Sequence, residues 1–216
     1  MTWFHASMKA ADDRNFASAA EIVACFQNEG SLLGKLAFLI TGDEATADKS
    51  VVNAREITLH GNSPFRNWLL EWAKVATITS AISLRADAIR SYGAAYVDRC
   101  CTHVEHLSGG DVDERESGLA LILQTDSQEL IAELDPLCRA ILVLRFAIRS
   151  SIQECVLRLN VSRAAVLGAN CHAMTWLQKW RTKPLQENHN ASPTKTGNGN
   201  MNNRLGFSLE AQLELA

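Results

Sequence analysis

The chain has 216 residues, 47% of them hydrophobic, with only 4 prolines and a formal net charge of −3. Such a length and apolar content can bury one ordinary core or two small ones, and the charge argues against a general nucleic-acid binder. No stretch is apolar for the length of a signal peptide or a membrane span, so the expectation is a cytoplasmic protein with no membrane partner. Its six cysteines (25, 100, 101, 138, 155 and 171) are then expected to be reduced and mostly small core residues.

The charge is uneven. Residues 91–130 carry eight acids against Arg99 and Arg115, a net −6, whereas residues 131–181 carry seven bases against three acids, a net +4. Residues 29–90 balance at seven of each. An acidic connector between a neutral and a basic block predicts two domains. Few prolines and many Ala and Leu predict an all-α fold.

Taken in order, residues 12–27 predict an N-terminal helix with acids at its start and apolar residues at 16, 19, 20, 23 and 26. A buried helix is expected over 31–40, ending at Gly42, and a more polar one over 43–59. His60-Gly61-Asn62-Ser63-Pro64 is a break, with Pro64 suited to the first turn of the next helix. That helix is expected to run from Phe65 to Arg90, with Phe65, Trp68, Leu69, Trp72, Val75, Ile78 and Ile82 on one face. Trp68 and Trp72 are therefore expected in the core.

Another helix is expected within 91–107, then an acidic linker over 108–125. Residues 118–124, GLALILQ, suit either a short strand or a buried helix. Beyond it, Asp126 or Ser127 caps a short helix to Leu134, and Asp135-Pro136 reads as an N-cap followed by the first helical position. Ser150 or Ser151 starts the next helix, Asn160 turns the chain and Ser162 caps the last one. Residues 182–216 are rich in Asn and poor in apolar residues, as in a disordered tail. The expected units are therefore 1–28, 29–107, 108–125, 126–181 and 182–216.

Residues 150–177 have the spacing of a helix-turn-helix. Cys155, Val156 and Leu159 supply one inner face, Val161 plugs the corner, and Val166 and Ala169 face inward from the second helix. Ser162, Arg163, Ala164, Leu167, Gly168 and Cys171 then face outward. Only Arg163 among them suits a bidentate contact to guanine; Ser162 suits a phosphate, and Ala164 and Leu167 suit thymine methyls. Arg158, Lys179 and Arg181 add phosphate contacts, too few for strong binding alone.

Three stretches, LAFLITGDEATADK (36–49), PFRNWLLEWAKVATITSAISLR (64–85) and LDPLCRAILVLRFAIRSSIQECVLRLNVSRAAV (134–166), together resemble the sigma-70 superfamily. The resemblance is to its small two-domain extracytoplasmic-function type. It implies two small helical bundles, a sigma region 2-like one and a region 4-like helix-turn-helix, joined by a linker. It also implies a non-enzyme without metal or cofactor, monomeric when free, that binds core RNA polymerase and promoter DNA and has a possible anti-sigma partner.

Carried over residue by residue, Asp48, Val51 and Arg55 fall on the polymerase-binding helix, where Val51 replaces the family's Gln. Asn62 falls in the base-capturing loop, and Arg85 and Arg90 near the end of the promoter-facing helix. The family's basic surface is thinned at both places. A divergent adaptor or decoy that binds polymerase or a regulator without opening DNA is therefore the alternative. Cys100, Cys101, His103 and His106 lie close together in sequence, but adjacent cysteines on a helix diverge by about 100 degrees, so a metal or thiol sensor is a distant third reading.

Overall fold

A computed structural model of the chain describes residues 15–97, 120, 123 and 127–182, with the side chains of 181 and 182 left aside. The described residues are mostly helical and contain no β-strand, only an isolated antiparallel bridge between Phe16 and Phe65. The all-α expectation is met. The acidic linker, the cluster at 100–106, nearly all of 118–124 and the tail lie outside the described residues.

The first described helix, α1 (Ala19–Asn28), starts later than the acids at 12 and 13 suggested. Ser18 sets its start through a capping box: its hydroxyl accepts from the Glu21 N–H, and the Glu21 carboxylate accepts from the Ser18 N–H at 2.9 Å. Helix α2 (Gly30–Thr41) ends at Gly42, whose φ of 69° is the left-handed conformation that glycine adopts without a Cβ penalty. Helix α3 (Glu44–His60) is capped by Asp43, which accepts from the Thr46 N–H at 2.8 Å.

The helix expected over 65–90 is in fact three pieces. A 3-10 turn at Arg66–Trp68 leads into α4 (Leu69–Leu84), and α5 (Ala86–Ser91) follows after an irregular Arg85. Pro64 precedes the turn and does not open α4. Arg85 breaks the helix with φ −117° and ψ 13°, and its Nε donates to the Thr41 carbonyl at 3.0 Å. The Arg85 side chain thus satisfies an orphan carbonyl at the C-terminus of α2. A short α6 (Ala94–Val97) comes next.

In the later block, local chemistry sets the expected boundaries at Asp135-Pro136, Ser151, Asn160 and Ser162; the expected cap at Asp126 lies outside the described residues. Helix α7 (Ser127–Glu133) leads to Asp135, whose Oδ1 accepts from the N–H groups of Leu137 and Cys138. Helix α8 (Pro136–Ala147) has proline in its first turn. Ser151 and Glu154 form a second capping box at α9 (Ile152–Leu159), and Asn160 closes that helix in the left-handed region at φ 51°. Ser162 then caps α10 (Arg163–Thr182), its Oγ accepting from the Ala165 N–H at 3.2 Å.

Two helices form the centre. Residues 137–144 of α8 are all buried, and α2 buries Leu33, Gly34, Leu36, Ala37, Leu39, Ile40 and Thr41. A helix apolar all round needs neighbours on every side. Helix α2 has α3 and α4 on one flank and α8 on the other; α8 also packs against α10. One apolar cluster therefore runs from Ala17 and Ile22 through Ile141 to Leu177. The expectation of two separate bundles does not match this continuous core, because the shared α2–α8 contact is itself apolar.

Polar contacts bind the same junction. The Tyr96 hydroxyl donates to Asp135 Oδ2, and Cys138 Sγ lies 3.2 Å from that hydroxyl. Burial and the Asp135 carboxylate push the Tyr96 phenol well above its ordinary range. Cys25, Cys138 and Cys155 are free thiols, whereas Cys171 is disulfide-bonded to a partner outside the described residues. The expectation of reduced cysteines fails at Cys171.

Candidate nucleic-acid interface

Helices α9 and α10 are joined by the tight turn Asn160–Ser162. Their inner faces follow the expected pattern: Cys155, Leu159, Val166 and Ala169 are buried, and Val161 is half-buried. Cys155 is 0% exposed, and desolvation pushes its thiol up to about 11. It packs as a small apolar residue and is not a nucleophile.

The outer face is narrower than expected. Ser162, Arg163 and Ala164 are exposed, but Leu167 and Cys171 are only half-exposed and Gly168 is buried. Helix α10 rotates into the core after its first turn because α8 and α6 pack against it. Leu167 therefore has part of its side chain in packing, and the open positions are Ser162–Ala164 and then His172, Thr175, Gln178 and Lys179. Arg181 lies outside the side chains described.

Arg158 is exposed at the end of α9, and its Nη1 donates to Thr79 Oγ1 of α4 at 3.5 Å. Arg90 is exposed but pairs with Asp87 at 2.6 Å, which offsets part of its charge. Arg85 was expected to face DNA; it is half-buried and turned onto Thr41, so its Nε serves the fold. Asn62 is exposed beside Gly61 and Ser63, as a loop residue available to a ligand would be.

The residues expected to meet polymerase on α3 divide in the same way. Asp48 is exposed, and desolvation with the charge of Glu44 raises its carboxyl above the usual range. Val51 is 6% exposed and belongs to the core, so it offers no contact surface. Arg55 is half-buried and pairs with Glu56 at 3.2 Å.

The largest departure concerns the aromatic residues. Trp68 is 68% exposed, Phe65 51% and Trp72 47%, so the expected core placement of the two tryptophans is overturned. Phe65 stacks on Phe16 with centroids 4.7 Å apart and meets Trp68 edge-on at 6.1 Å. Of the expected face of α4, Leu69, Ile78 and Ile82 are buried, and the small residues Ala73, Thr77 and Ala81 take the place of the tryptophans beside them. This buried face meets a face of α3 made of Ala47, Ser50, Val51, Ala54 and Thr58. Small side chains on both helices allow a close approach that two indole rings would block. The signal was present in the sequence as Ala73, Thr77 and Ala81 at four-residue spacing, outweighed there by the larger residues on the adjacent stripe.

The exposed ring surfaces are suited to stacking on unpaired bases, and Arg158, Ser162 and Arg163 are suited to phosphate and groove contacts. Among the described residues no group of three or more His, Cys, Asp or Glu is arranged to hold a metal, and no helix is long and apolar enough to cross a membrane. Family models, curated proteins and solved structures yield no match to the chain.

Proposed function

We propose that this chain is a sigma-factor-like initiation protein of the cytoplasm, binding core RNA polymerase and directing it to promoter DNA. The reading rests on the ordered resemblance of residues 36–166. The observation that supports it best is the first turn of α10, where Ser162, Arg163 and Ala164 stand free behind a left-handed Asn160. A helix entering a major groove presents its N-terminal residues to the base edges in this way. The exposed Phe65, Trp68 and Trp72 supply a second, separate property that promoter opening needs, a surface on which an unpaired base stacks.

The test is capture of core polymerase by the full chain, followed by initiation on fragmented genomic DNA. Capture together with new transcripts is the expected result. Failure to capture polymerase overturns the proposal.

A sigma-like adaptor or decoy is the second reading, favoured by one observation. Helices α9 and α10 share a core with α2, and Arg158 reaches Thr79 on the helix that would face the promoter. Capture of polymerase without initiation selects this alternative.

A further inference from the structure

The resemblance places two DNA-facing surfaces on separate bundles, but the contacts described above bring them together. Arg158 of α9 reaches Thr79 of α4. The turn residue Val161 sits against Gly93, its Cγ1 3.6 Å from where a Cβ on Gly93 would stand, and the Gly93 N–H donates to the Arg90 carbonyl at 3.0 Å. Arg90, Thr79, Arg158, Ser162 and Arg163 therefore surround one junction, and all five are exposed.

Resting on the DNA reading above, we infer that this junction is a single continuous face for duplex DNA, used with α4, α5 and the α9–α10 turn docked as they are. Separating the two halves would expose α8, whose residues 137–144 are buried on every side, and apolar exposure on that scale opposes opening. The docked face also has a definite reach. Trp68 lies eleven positions before Thr79, about 16 Å along a helix that rises about 1.5 Å per residue. The stretch from Trp68 to the Thr79–Arg158 contact thus covers about half of one duplex turn of about 34 Å, and Ser162 and Arg163 follow that contact across the α9–α10 turn.

Among the described residues, the basic groups around the junction are Arg158, Arg163 and the partly neutralised Arg90. Two to three phosphates are all they can neutralise, so log K should fall against log salt with a slope of about −2 to −3. Sequence selectivity then falls on Ser162, Arg163 and Ala164, a short block of bases.

Selection by the full chain alone, from duplexes with a random insert about four helical turns long, tests the footprint. A single enriched block no longer than about one turn is expected. Two blocks more than a turn apart, or no enrichment, would overturn the inference and leave the DNA reading to the polymerase test above.

A covalent lock separates docked from opened binding. A Cβ at Gly93 would lie 3.9 Å from the Val161 Cβ, close to the usual spacing in a disulfide. The chain carrying Gly93→Cys and Val161→Cys, with the new bond mapped by mass spectrometry and the parent chain run alongside to account for the Cys171 disulfide, should bind the selected duplex within about twofold whether oxidised or reduced. A loss of more than roughly tenfold on oxidation shows that the halves must part to bind, and sinks the inference.

Discussion

The Arg139 guanidinium lies directly over Gly42: its Nη1 is 3.0 Å, and its Nη2 3.2 Å, from where a side-chain carbon on Gly42 would stand. Arg139 is 5% exposed and its Nε has no hydrogen-bond partner among the described residues. Burial lowers its basicity, with the charge of Asp135 opposing that shift. The contact joins the C-terminus of α2 to α8, so a glycine needed for a helix cap is also needed for the closeness of the two halves.

Gly42→Ala should therefore be costly for two reasons. The φ of 69° strains any L side chain, and the new methyl meets a guanidinium held in a packed interior. A loss of about 1–3 kcal/mol is expected, read as a fall in Tm of roughly 2–4 °C per kcal/mol. An unchanged melting curve would show that Arg139 moves freely and that the α2–α8 contact is loose.

The capping box at Ser18 carries a pH dependence of definite sign. The Ser18 backbone N–H, then its hydroxyl and the Arg66 guanidinium at 2.7 Å, hold the Glu21 carboxyl down to about 2, against an ordinary value of 4.5. A carboxylate with a depressed folded-state pKa contributes stability that is complete above its ordinary value and is lost as pH falls through the folded one. The contribution of Glu21 should accordingly persist above pH 4.5 and fade towards pH 2. Melting temperatures of the parent and of Glu21→Gln across that range are the check. Their difference should shrink on acidification, and a constant gap would mean that the charge on Glu21 plays no part.

Local chemistry made much of this fold legible. Asp135-Pro136, Ser151 (one of the two serines offered), Asn160 and Gly42 each set a boundary through their own backbone or one turn of neighbours, where the sequence placed it. Long-range partners were not legible. The Arg85 side chain finds its acceptor 44 residues away, and the burial of α8 on all sides depends on α2. At the candidate site, the exposed Ser162, Arg163 and Ala164 were readable from helical spacing. Leu167 and Trp68 were not, because spacing fixes which residues share a stripe but not which stripe meets the core.

Exposure of the tryptophans leads to a dissociation between stability and binding. Trp68→Ala removes a ring that is largely outside the core and should change stability by only about 0.5 kcal/mol, with a larger loss at the half-covered Trp72. Binding to single-stranded DNA should weaken by about 1–3 kcal/mol for each ring that stacks a base. Fluorescence quenching by iodide on the parent, compared with each single variant, reports the exposure independently. A large stability loss with no change in binding would return both rings to the core.

Arg163 and Leu167 offer the sharpest contrast on α10. Four positions apart, they would share a groove-facing stripe on an isolated helix, yet Arg163 is exposed and Leu167 is half-buried. Arg163→Ala should leave the melting temperature almost unchanged and cost about 1–3 kcal/mol of DNA affinity if it contacts a base edge. If it meets only phosphate, the loss should be uniform across sequences and the salt slope should fall by about one. Leu167→Ala should instead cost about 1–2 kcal/mol of stability, below the range for a fully buried leucine, with a smaller effect on affinity. Thermal melts and salt-titrated DNA binding of the two variants side by side decide the matter. Equal effects on both quantities would mean that α10 is turned differently against α8, and that the face proposed for the groove is not the one it presents.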